Sequence, residues 1–87
     1  MDKQQRDTTI NRLADMPVPS TSVQIIQDNY SIRVDRSAKD QYCVIKIYTQ
    51  DHSKYNPLSS INGVWCYPKT AKGVLAAIMR FQKEEAL

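Results

Sequence analysis

The chain has 87 residues, with twelve lysines and arginines against nine aspartates and glutamates, for a formal net charge of +3. That length supports one small domain with a modest core and excludes two. Two glycines and two cysteines exclude a glycine-rich phosphate loop and a secreted multi-disulfide framework.

Residues 1–22 read as a flexible arm. "TTINRLADM" offers a short helix with Ile10 and Leu13 on one side, but Pro17 and Pro19 stop it and "PVPSTS" reads as linker. "MDKQQRDTTI" is polar and mixed in charge, unlike a secretory signal, and no apolar run approaches the roughly 18 residues of a membrane span. The expectation is a soluble intracellular protein, in the cytoplasm, nucleoid or nucleus, with no membrane partner.

From Val23 the pattern turns to strands. "SVQIIQ" is short and β-branched, and "NYSIRVDR" sets Tyr30, Ile32 and Val34 on one face against Ser31, Arg33 and Asp35 on the other. "YCVIKIYT" alternates too, with Cys43, Ile45 and Ile47 on the side expected to meet a core. Tyr42, Val44, Lys46 and Tyr48 fall on the opposite side. After a loop with turn formers at Asn56-Pro57 and Asn62-Gly63, "GVWCYP" makes a fourth strand, with Val64 and Cys66 on one face and Trp65 and Tyr67 on the other.

The last segment is helical. Thr70 is its expected N-cap, and Ala71, Val74, Leu75, Ile78 and Phe81 recur at helical spacing. Gly73 weakens the first turn by about 1 kcal/mol relative to alanine. The expected fold is α+β: one domain over residues 23–87, a four-stranded antiparallel sheet followed by a C-terminal helix. One helix covers one face, expected to be that of Ile45, Ile47, Val64 and Cys66. Tyr42, Lys46, Tyr48, Trp65 and Tyr67 are then left open, and such a patch marks an interaction surface.

Catalytic chemistry is not expected. The single histidine, His52, stands beside Asp51 and Ser53, but triad members converge from separated segments, so it reads as a loop histidine. The carboxylates show no acid/base or metal-ligand spacing, and Cys43 and Cys66 read as small buried hydrophobes, so no cofactor and no metal are expected.

Beyond residue 29 the chain is basic, through Arg33, Arg36, Lys39, Lys46, Lys54, Lys69, Lys72, Arg80 and Lys83. Aromatic rings stack on bases and cations track phosphates, so rings interleaved with cations suit single-stranded nucleic acid. The same rings also suit packing beneath the arm or at a dimer interface.

Val23 to Phe81 resembles the C-terminal domain of the positive cofactor four family of transcriptional coactivators. "CVIKIYTQD" stands at that family's third strand, with Lys46 at its arginine and Tyr48 at its tyrosine. Asp51 begins the turn, Pro57 follows, and "NGVWC" stands for the glycine-led fourth strand. In "NYSIRVDR", Arg33 and Arg36 match basic residues of the second strand. Thr49 replaces an aromatic, and Ser59, Ser60, Ile61 and Asn62 replace basic residues. The resemblance implies a homodimer that binds single-stranded DNA without catalysis. Arg33, Arg36, Lys39 and Lys46 would then meet phosphates, while Tyr42, Tyr48 and Trp65 stack on bases. The alternative is a small protein-interaction module, an inhibitor or adaptor, using the same face.

Overall fold

A computed structural model of the chain describes residues 2–48 and 63–85. Its elements are α1 (Lys3–Ala14), β1 (Ser20–Ile26), β2 (Tyr30–Ala38), β3 (Gln41–Tyr48), β4 (Gly63–Cys66) and α2 (Ala71–Glu85). The strands form one antiparallel sheet in the order β1-β2-β3-β4, followed by the C-terminal helix, as the sequence pattern requires.

Residues expected to be an arm are instead part of this fold, forming α1 and the start of β1. Asp2 caps α1 through a reciprocal box: its carboxylate accepts from the Gln5 N–H at 2.8 Å, and the Gln5 side chain accepts from the Asp2 N–H at 3.0 Å. This box satisfies two otherwise orphaned donors. Leu13 is then buried in the common core, and Ile10 packs against it. Two apolar side chains three residues apart suffice to dock a helix onto a surface already apolar.

At the other end Thr70 caps α2, its hydroxyl accepting from the Gly73 N–H at 3.1 Å. The helix buries Ala71, Val74, Leu75, Ala77, Ile78 and Phe81. That stripe lies on the sheet face carrying Tyr30, Ile32 and Val34 of β2 and Tyr42 and Val44 of β3. Gly63 opens β4 because an added Cβ would collide with the Lys46 carbonyl on β3.

One expectation about β3 is overturned. Tyr42, Val44, Lys46 and Tyr48 face the helices, and Cys43, Ile45 and Ile47 lie on the other side, where Ile45 is buried as expected, at 4% exposure, but outside the core beneath the helices. Both faces of β3 are apolar enough to be buried, and the pairing decides between them. Val34 is level with Val44, and Val44 with Cys66, so these three share the core side. The expectation for β4 holds in part: Cys66 packs on the core and Trp65 points away, but Val64, expected beneath the helix, is 41% exposed, and Cys66 shares its face with Val44 and not with Ile45. The expected turns at Asn56-Pro57 and before Gly63, the His52 group, and positions 49, 51, 57 and 59–62 of the resemblance lie outside the described residues.

Candidate interaction surface on the uncovered sheet face

Lys46 is internal. It is 1% exposed, its ammonium lies 3.1 Å from a Glu85 oxygen and 3.3 Å from a Glu84 oxygen, and it sits over the rings of Tyr48 and Phe81 at 5.1 and 5.3 Å. Burial alone would push its pKa down. Tyr48, Glu85 and Glu84 outweigh that and hold it above the usual lysine value, so the charge persists inside. An aliphatic stem lets such a side chain line a core while its head finds carboxylates.

Arg36 is internal as well. Its guanidinium donates to the carbonyls of Ala14 (2.9 Å), Met16 (2.7 Å) and Lys39 (2.8 Å) and stacks over Tyr42 at 4.8 Å. The Tyr42 hydroxyl donates to the Leu13 carbonyl at 3.2 Å. Together they satisfy carbonyls left over at the end of α1, which is a structural task. Tyr48 is half-buried against the core. Four residues expected on an open binding face, Arg36, Tyr42, Lys46 and Tyr48, therefore belong to the inner side. Of the residues expected on the open face, the sheet brings Trp65 and Tyr67 onto the outer side, together with Arg33 of the expected phosphate-binding cations, while Lys39 is exposed in the β2–β3 turn.

No described helix covers that outer face. Its exposed apolar residues are Val23 (56%), Ile26 (78%), Trp65 (42%) and Tyr67 (73%). The Tyr42 N–H donates to the Pro68 carbonyl at 3.0 Å, so the chain continues beside β3 past Cys66 and carries Tyr67 level with Cys43. Two parallel rows result. One crosses the sheet through Val23, Arg33, Ile45 and Trp65, and the next through Thr21, Asp35, Cys43 and Tyr67. Arg33 Nε lies 3.3 Å from Asp35 Oδ1, an ion pair lacking hydrogen-bond geometry, so both atoms are buried without a hydrogen-bond partner among the described residues. Burial, and then the nearby Asp35 carboxylate, push the Cys43 thiol up, while burial raises Cys66 against the pull of Arg80. Both cysteines are free thiols.

Val23 and Ile26 were not legible as part of this surface, because β-branched residues in a short strand read first as core. Tyr67 lies beside Trp65 on the exposed side, as the alternation in "GVWCYP" implies. Among the described residues no three His, Cys, Asp or Glu side chains gather as a metal site, and no helix is long and apolar enough to cross a membrane. Comparison with protein-family models, curated proteins and solved structures finds no match.

Proposed function

We propose that this chain is a non-catalytic protein-interaction module working through the outer sheet face around Trp65. What supports this is the inner position of Lys46 and Arg36, which removes two of the four cations expected to meet phosphates. The outer face retains Arg33, already paired with Asp35, beside exposed Val23 and Ile26. Aliphatic side chains offer no ring for a base, and the Asp35 carboxylate repels phosphate. An apolar patch with a neutralised charge pair is the chemistry of a protein interface.

A second reading keeps the single-stranded nucleic-acid function, with the coactivator likeness and the homodimer that the resemblance implies. The exposed rings of Trp65 and Tyr67, near exposed Lys69 and Lys72 in the chain, favour it. A labelled dT oligomer titrated at about 50 and about 200 mM salt separates the two. The protein-interaction reading expects no salt-dependent binding. Binding with a log–log salt slope of about −0.7 per phosphate contact, over several contacts and lost in Trp65→Ala, would establish the second reading instead.

A further inference from the structure

We infer that the groove between α1 and the outer edge of β1 is a second docking site, which takes an extended, acidic segment of another protein as an added strand. It lies at the opposite edge of the sheet from Trp65 and goes beyond the outer-face reading above.

The edge supplies the backbone groups. In the order β1-β2-β3-β4, β1 has a neighbouring strand on one side only, and among the described residues no backbone group pairs with its other side. Sheets ordinarily blunt such an edge with charged side chains, proline or a very short strand. Ser20–Ile26 uses none of these: it is 7 residues long, with no charged residue and no proline. The opposite edge, β4, has only 4 residues. The one interruption in β1 is the bulge at Gln24, where the register shifts between Val23 and Ile25. At about 3.3 Å per residue the edge runs for about 23 Å, enough to pair a segment of about five or six residues.

The helix supplies the second wall. Thr9 and Arg12 of α1, with Met16 just beyond it, line a groove of about 340 Å³ together with Ser22, Val23 and Gln24 of β1. That volume falls within the range of sites that hold small ligands or a few side chains. The Gln24 amide donates to the Ser22 hydroxyl at 2.7 Å, which fixes the strand side of the groove. Arg12 is exposed and is the only charged residue of the lining. Among the described residues no carboxylate forms an ion pair with it.

These features select the occupant. The N–H and C=O groups of a strand edge are matched by another extended backbone, whereas a helix has already bonded its own. The unpaired guanidinium calls for a carboxylate on the incoming segment, and half-buried Met16 calls for an apolar side chain beside it. A second β1 carries no carboxylate, so self-pairing along this edge would leave Arg12 without a counter-charge.

A random heptapeptide library displayed on phage and selected on the intact chain tests this, with the affinities of enriched peptides measured by fluorescence anisotropy. Enriched sequences should alternate in polarity and share one aspartate or glutamate. Arg12→Glu should weaken them about tenfold or more, because like charges then meet. Replacing the shared acid by lysine should restore binding to that variant, with circular dichroism showing it folded. Methylating alternate peptide nitrogens removes ladder donors without touching the protein, and should also weaken binding about tenfold or more. Hydrogen exchange in β1 should slow when peptide binds. Should Arg12→Glu not fold, the methylated peptides and the exchange measurement decide. A library without binders, or binders indifferent to Arg12→Glu or to methylation, overturns the inference and leaves the outer-face reading standing. Enrichment of sequences like β1 itself overturns it by making a second copy the occupant. Binders lost in Trp65→Ser but kept in Arg12→Glu overturn it and support the outer face as the peptide site.

Discussion

The ammonium of Lys46 lies 3.1 Å from the Glu85 carboxylate, tying the middle of β3 to the last turn of α2. Glu84 adds a second carboxylate at 3.3 Å. Acidic side chains at the C-terminal end of a helix oppose its dipole, and the buried lysine answers that repulsion from beneath.

Charge reversal at this position should therefore destroy the fold. Lys46→Glu sets a third carboxylate in a buried site beside two others, and a loss of about 3–5 kcal/mol is expected, as for a broken internal pair. Lys46→Met keeps the stem and lets the half-exposed Glu84 turn to water, so it should cost no more than about 2 kcal/mol. Urea melts of both variants check the order. A Lys46→Glu protein as stable as the parent would put Lys46 on the outside.

Arg36 and Tyr42 form a clamp on α1, and their loss should act there first. Arg36→Gln strands three carbonyl acceptors and should cost about 2–3 kcal/mol, against about 1 kcal/mol for Tyr42→Phe. Because the two side chains stack and grip neighbouring carbonyls, the double variant should lose less than the sum of the singles. Hydrogen exchange should speed up in α1 before the sheet in both single variants, and uniform loss across the protein would argue against a clamp.

Gly63 is required by close approach, not by an unusual backbone angle. Gly63→Ala should force β4 away from β3 at the Lys46 carbonyl and cost on the order of 2 kcal/mol or more. Thermal melting measures this directly, and an unchanged midpoint would mean that the β3–β4 pairing is looser than the register implies.

Alkaline pH should weaken the protein in two stages. Cys43 and Cys66 have raised folded-state values, so the stability they confer is fully present below the unfolded thiol pKa of about 8.5 and is lost as pH rises through their folded values. Lys46 is also raised, so its share persists to about pH 10.4 and is lost above that. Urea midpoints should fall between about pH 8 and about pH 10, and Cys43→Ala with Cys66→Ala should flatten this first stage. A midpoint that rises over this range would have the opposite sign.

The strands, the order of the sheet and α2 with its Thr70 cap were legible because alternation, helical periodicity and capping all agreed. The faces of β3 were not. Isoleucines on one side competed with tyrosines and a lysine on the other, and a lysine counts as outside until its carboxylates are known. Glu84 and Glu85 come 38 and 39 residues later, so no local pattern links them to Lys46. Likewise, Pro17 and Pro19 correctly ended a helix, but the anchors of α1, Arg36 and Tyr42, sit on the second and third strands after it. The candidate surface moved accordingly. Trp65, Tyr67 and Arg33 belong to it, and Tyr42, Lys46, Tyr48 and Arg36 do not.

The division of the sheet into an inner and an outer face is tested most directly by NMR with a soluble paramagnetic probe. Signals of Val23, Ile26 and the Trp65 indole should broaden, and those of Val44, Tyr42 and the Lys46 side chain should not. Broadening of Tyr42 and Lys46 with Trp65 protected would contradict the assignment of faces and return the nucleic-acid reading to first place.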